Sequence, residues 1–212
     1  KVNGKITFVR GTDIFRSNAD GTDVVNLTNG TMGICEDPAF SPDGNFITFR
    51  SNSPGNYEIY RMTTTGTNIT RLTTAAGTDE YPVYSPNGSK IVFVSDRDGN
   101  QEIYTMNSDG TGQVRLTNNT FRDSEPAFSP DGTKIVFNRG VNGNFGPWQV
   151  FTMNSADGSS PLQITSPAQT ILDMTPSYSP DGTKIIFTRY DTGPFTSVFI
   201  TVNTDGSGAT TL

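Results

Sequence analysis

One segment recurs along this chain and limits what it can fold into. DPAFSPDGNFITF, YPVYSPNGSKIVF, EPAFSPDGTKIVF and TPSYSPDGTKIIF align without gaps from their prolines onward. Their turn residues fall at Asp43, Asn87, Asp131 and Asp181, at spacings of 44, 44 and 50 residues. A headless fifth copy, VNGKITF, opens the chain with Asn3 at the turn position, 40 residues ahead of Asp43.

Each copy reads as four short strands. Strand A is the aromatic-containing run before the turn, as in Pro126 to Pro130. The PDG turn follows, and its glycine takes the positive φ that a tight hairpin needs. Strand B alternates apolar and polar residues, as in Lys134-Ile135-Val136-Phe137. Strand C is Gln101 to Met106, with counterparts at Tyr57 to Met62, Trp148 to Met153 and Ser197 to Val202. A second Asp-Gly turn comes next, at Asp20-Gly21, Asp109-Gly110, Asp157-Gly158 and Asp205-Gly206. Strand D closes on Leu27-Thr28, Leu72-Thr73, Leu116-Thr117 or Ile164-Thr165. Four strands joined by hairpins make an antiparallel meander with two faces and two edges to cover. Radial stacking of copies buries the faces and ring closure protects the edges, and a period of roughly 40–50 residues is that of propeller blades.

The expectation is an all-β chain, a β-propeller of five four-stranded antiparallel blades forming a single domain over 1–212. Blade 1 (1–34) lacks its strand A, and blades 2 to 5 cover 35–78, 79–122, 123–172 and 173–212. A chain running from strand B to strand D reads as five blades with an incomplete seam or as a fragment of a larger ring, the second being preferred. An array in which a neighbouring chain supplies the missing strand is the third option.

Only 33% of the residues are hydrophobic, while Gly (22) and Pro (13) are plentiful. Such a balance marks either disorder or many short strands with polar outer faces, and the period-2 alternation selects strands. The net charge is −6, from 15 basic and 21 acidic residues, with no basic block, so a nucleic-acid partner is excluded on charge. No run of about 18 apolar residues could span a membrane as a helix. Histidine is absent and Cys35 is the lone cysteine. That removes the usual zinc sites, Ser–His and Cys–His pairs, and imidazole acid–base chemistry.

The combined pattern D-x-x-P-x-[FY]-S-P-[DN]-G-x-K-I-x-F, then D-R-D-G-N-x-E-I-Y-x-M-N-x-D-G-T, then R-L-T, resembles the TolB-type β-propeller repeat. Asp123 to Phe137 and Asp96 to Thr111 carry it most completely. The resemblance implies a propeller that is usually six-bladed, exported to the periplasm or cell surface, and used for protein–protein contact. The repeat is also similar to those in propeller domains of prolyl-oligopeptidase-like peptidases and some polysaccharide lyases, so fold is implied more firmly than function.

Four groups of residues are candidate sites. Asp79, Asp123 and Asp173 stand three residues before the strand-A prolines, with Cys35 in the second blade's position. They would ring one mouth of the channel as a cation site or an acidic funnel for a basic peptide, or simply fix their own loops, the reading preferred for a position repeated in every blade. Asp96-Arg97-Asp98-Gly99-Asn100 has oxygen ligands at alternate positions as calcium would want, but a hairpin turn accounts for it without metal. Tyr57 and Trp148 share a repeat position where the third blade has Gln101, and Phe145 and Phe195 lie in the loops after strand B. Here the blades differ, as a specific ligand on a pseudo-symmetric ring requires. The loops Asn138 to Trp148 and Tyr190 to Thr196 are therefore the expected recognition surface for a peptide or sugar. Arg10, Arg139 and Arg189 follow strand-B phenylalanines by two residues, a position for anion binding or, preferably, for pairing with nearby carboxylates.

The functional expectation is a non-catalytic binding or scaffolding module of an exported or surface protein, with a protein, peptide or glycan partner and no cofactor. The alternatives are the accessory propeller of a larger peptidase or lyase, and a structural subunit that self-associates through unpaired blade edges. Nothing resembling G-x-S-x-G with a partner histidine occurs in the chain.

Overall fold

The computed structural model describes residues 4–53, 55–141 and 147–212, and every regular element among them is a β-strand. The first sheet runs β1 (Lys5–Arg10), β2 (Asp13–Asn18), β3 (Val25–Asn26). The second is β4 (Cys35–Phe40), β5 (Phe46–Ser51), β6 (Glu58–Thr63), β7 (Thr70–Arg71), and the third β8 (Asp79–Tyr84), β9 (Lys90–Ser95), β10 (Glu102–Asn107), β11 (Val114–Arg115). The fourth is β12 (Arg122–Phe128), β13 (Lys134–Gly140), β14 (Trp148–Asn154), β15 (Leu162–Gln163), and the fifth β16 (Ile171–Tyr178), β17 (Lys184–Asp191), β18 (Thr196–Asn203), β19 (Thr210–Thr211). Each is a meander in chain order, and the first lacks a strand A. A single parallel bridge between Trp148 and Leu172 joins the last two into one eight-stranded sheet.

Strand B shows why these meanders cannot stand alone. Ile47, Thr48 and Phe49 of β5 are buried in succession, as are Ile135 to Asn138 of β13. Successive strand residues point to opposite faces, so both faces of these two sheets are covered at strand B. The chain gathers into two compact units, Lys1–Gly99 with Thr105–Val114, and Asn100–Tyr104 with Arg115–Leu212. Within the first, Ile14 and Leu27 of the first repeat share a core with Ile47, Phe49, Tyr60 and Met62 of the second. Within the second, Val136, Val150 and Ile164 of the fourth repeat pack with Ile185, Phe187, Ile200 and Val202 of the fifth. At about 1.5–3 kcal/mol for each large apolar side chain removed from water, a lone meander would forfeit the contribution of one whole face.

Strand A differs from its sequence reading. It begins upstream of the proline, at Arg122 rather than Pro126 in the fourth repeat, because the proline sits in a β-bulge instead of ending the ladder. The register shifts at the same place in β4, β8 and β16. The residue before each proline, Asp37, Tyr81, Glu125 or Thr175, is left-handed at φ 51–54°. Proline brings no N–H to the ladder, so a bulge is where it fits inside a sheet. The strained backbone is tied to the preceding repeat: Tyr81 N donates to Asp37 Oδ2 at 3.4 Å, and Thr175 N to Glu125 Oε2 at 2.6 Å.

The Asp-Gly turn between strands C and D also does more than close a hairpin. At Gly158 (φ +73°) a Cβ would overlap the Leu116 carbonyl oxygen, just past strand D of the preceding repeat. Gly66, Gly110 and Gly206 meet Leu27, Leu72 and Ile164 in the same way. Gly21 has the same turn and φ +82°, but open space around it. Gly21→Ala is therefore expected to cost only the left-handed strain, about 1–2 kcal/mol. Gly158→Ala should cost about 1–3 kcal/mol more from the forced separation of the two repeats. Equal shifts of the urea midpoint for the two variants would show that this docking contact is absent.

Candidate functional site

Polar chemistry concentrates at the end of each sheet where strand A begins, strand B finishes and the B–C loop enters strand C. Cross-strand register brings the candidate aspartates and arginines together there. Asp123 is opposite Arg139, whose Nε and Nη2 donate to Oδ1 at 2.6 Å and Oδ2 at 2.7 Å, while Asn119 Nδ2 adds a bond of 2.9 Å. Asp173 is opposite Arg189, with bonds of 2.7 and 2.8 Å. In the third repeat Ser95 faces Asp79, and Arg97 reaches back from the loop to place Nη2 at 3.0 and 2.9 Å from the two Asp79 oxygens. The three carboxylates are 1%, 0% and 0% exposed. Guanidinium groups hold all three in charge-assisted pairs, Arg139 and Arg189 as two-nitrogen forks and Arg97 through Nη2. In turn, the Asp173 carboxylate raises Arg189 above its ordinary value. Arg139 is further confined by the rings of Phe151, 4.7 Å from its Cζ, and Phe137, 5.4 Å away. Arg10, in the repeat without a strand A, lies over Phe8 and Phe15 at 5.5 and 5.1 Å.

The aromatic candidates occupy different surroundings. Tyr57 stacks on Arg50, 4.6 Å from ring centroid to Cζ. Arg50 also meets Glu36 at 2.7 Å, lies 3.0 Å from Asp37 Oδ2 and pairs with Glu80. Trp148 is half-buried opposite Gly140, where a Cβ would come within 3.2 Å of the indole. A glycine there is what lets the ring lie flat against the sheet. Tyr190 is half-buried opposite Ser197. Phe195 is 75% exposed at φ +56°, and Val198 and Phe199 of the adjoining strand are exposed as well. Phe145 lies outside the described residues.

The Asp96–Asn100 loop spends its polar atoms on the chain. Asp96 Oδ1 accepts from Thr78 N at 2.6 Å, and Asn100 Nδ2 donates to Glu102 Oε1 and to the carbonyls of Asn119 and Phe121. Among the described residues no group of three or more His, Cys, Asp or Glu is placed to hold a metal ion.

Two buried carboxylates escaped the sequence reading. Glu58 and Glu102 open strand C with no exposure at all. Glu58 pairs with Arg71 and accepts from Thr73 Oγ1 at 2.6 Å, while the same hydroxyl accepts from Ile59 N at 2.8 Å. Glu102 pairs with Arg115 at 3.0 Å and accepts from Asn119 N at 2.8 Å. The recurring R-L-T is thus the clamp for a carboxylate on the neighbouring strand. Its signal was available, since a strand-C glutamate and R-L-T occur together in the second and third repeats. Arg50 carried no such signal, because its hub is assembled from two repeats. The Cys35 thiol is pushed up to about 11 by burial, out of the range of a nucleophile.

The family model of the TolB beta propeller domain matches residues 12–212, and the chain belongs to that family. It is similar to the solved structure of a putative TolB from Agrobacterium tumefaciens, with 27% identity and a TM-score of 0.86 over 98% of this chain and 76% of that one. TolB from Acinetobacter baumannii shares the fold at 21% identity and a TM-score of 0.82, over 100% of this chain and 53% of that one. So does a chain of a nidogen/laminin complex, at 16% identity and a TM-score of 0.78, over 100% of this chain and 76% of that one. No sequence among the curated proteins matches.

The Asp–Arg pairs make a defined prediction. Arg139→Met strands the buried Asp123 carboxylate and is expected to cost about 3–5 kcal/mol of stability at neutral pH. Burial already raises the Asp123 carboxyl against the pull of Arg139, and without the guanidinium its folded pKa climbs further above the unfolded value of about 3.9. The deficit relative to wild type should therefore narrow as pH falls through that raised pKa. Urea titrations of both proteins at several pH values check this. A small, pH-independent loss would mean that the pair carries no buried charge.

Proposed function

We infer that this propeller module binds a polypeptide without catalysing a reaction, through the loop ends where strand B passes into strand C in the fourth and fifth repeats. The observation that carries the reading is the exposed aromatic Phe195, held in a left-handed turn beside exposed Val198 and Phe199. A ring of that size left in water is unfavourable for the free chain and favourable once a partner covers it. Trp148 adds a half-buried indole, preset by Gly140, at a position that is Gln101 in the third repeat. The guanidinium groups of Arg139 and Arg189 are committed to Asp123 and Asp173, so they hold the loop roots in place, while Phe195 and Trp148 make contact.

The absence of histidine and the buried thiol support binding over chemistry. Membership of the TolB family supports an exported setting, periplasmic or at the cell surface, and a protein as the partner.

Replacing Phe195 by a photo-crosslinking benzoylphenylalanine tests this in the producing cell. One discrete adduct is expected, competed by untagged chain and lost in Trp148→Ala at unchanged thermal midpoint. The same label at the Asp157 turn should give none. Equal adducts at both positions, or full labelling in Trp148→Ala, would contradict the assignment.

A further inference from the structure

We propose that the cleft between the fourth and fifth repeats, at their strand A–B turns, is a receptor for an arginine side chain carried by a polypeptide partner. The cleft has a volume of about 780 Å³ and is lined by Asp131, Asp181, Tyr178, Thr152, Lys134 and Leu162 among others. It stands at the ends of the strands opposite Trp148, so it is independent of the recognition surface described above.

The second and third repeats form the same cleft, where Asp43, Asn87, Tyr84, Arg61 and Phe46 stand for Asp131, Asp181, Tyr178, Thr152 and Lys134. That copy holds only about 200 Å³, because the chain fills it with its own arginine. Arg61 is opposite Thr48, as Thr152 is opposite Val136. From there its guanidinium donates to the Ser108 carbonyl at 2.8 Å and lies 4.8 Å over the Phe46 ring. In the open copy Thr204 takes the place of Ser108, and nothing longer than threonine stands where Arg61 would be.

Charge in the open copy favours the same occupant. Asp131 and Asp181 are locked in their turns by Ser129 with Thr133 and by Ser179 with Thr183. Those bonds hold both carboxyls below the usual range, Asp181 at about 2, so both are ionised at neutral pH. Among the described lining residues Lys134 is the one cation, and it is bonded to Asn154 Oδ1 at 2.6 Å. Lys184 makes the same bond to Asn203, which marks Lys134 as part of the repeat and not of the cleft's special chemistry. Two carboxylates against one ammonium leave an unmet negative charge beside the Tyr178 ring. A planar cation that can stack and donate several hydrogen bonds meets both demands.

Nitrogen-15 NMR of the full chain, titrated with Nα-acetyl-L-argininamide, tests the proposal. Saturable millimolar-range shifts are expected at the amides of Gly132, Thr133, Gly182 and Thr183, with unchanged affinity in Trp148→Ala. The isosteric neutral citrulline analogue should bind at least about tenfold more weakly. Thr152→Arg, which installs the internal occupant, should abolish the shifts. Asp131→Asn with Asp181→Asn should weaken binding about tenfold while keeping the fold, since Asn87 already serves that turn in the third repeat. Absence of shifts in wild type, equal binding of the citrulline analogue, or undiminished binding in Thr152→Arg would each overturn the assignment. So would shifts produced by inorganic phosphate and not by the arginine probe, which would make this an anion site on Lys134.

Discussion

Apolar side chains on both faces of every strand B are the constraint on which this molecule depends. A four-stranded meander has one residue of thickness, and Phe49 or Phe137 on one face cannot be sheltered by the sheet that carries it. Shelter comes from the next repeat, as the mixed cores of each unit show. The devices that repeat most faithfully serve that contact. The turn glycines let strands C and D press on the preceding Leu-Thr segment, and the pre-proline bulge ties strand A to its predecessor. Entropy alone would disperse such short strands; mutual burial keeps them.

Within this frame, repetition and departure carry different meanings. Positions that recur do structural work: Asp with Arg, Glu with R-L-T, Ser with the turn Asp. Positions that depart from the pattern are those left facing solvent or opening space. Trp148 and Phe195 lie in the fourth and fifth repeats, where the segments joining strands B and C differ from copy to copy. Pseudo-symmetry supplies the scaffold, and breaking it locally supplies specificity.

Most of the fold was legible because period, turn glycines and alternation are local properties of the sequence. Five meanders, the first without its strand A, follow from spacing alone. The bulge at Pro38, Pro82, Pro126 and Pro176 was not legible, since a proline ordinarily signals the edge of a strand. The candidate aspartates and arginines were visible as separate sets, and only cross-strand register makes them partners. Arg50 and Arg61 were invisible for the same reason: each reaches a residue 30 or 47 positions away, across a boundary between repeats.

Native-state hydrogen exchange measures the dependence on neighbours most directly. Strands β13 and β17 are both paired along their length on two sides, with the same bulge in their strand-A ladders. They differ in cover: Ile135 to Asn138 are buried on both faces, whereas Ile185 and Phe187 are buried on one face and Ile186 and Thr188 are only half-buried on the other. The β13 amides should exchange only through global unfolding, and those of Ile185 to Thr188 through a local opening of lower free energy. Equal protection of the two strands would contradict the claim that the sheets stand by sheltering one another.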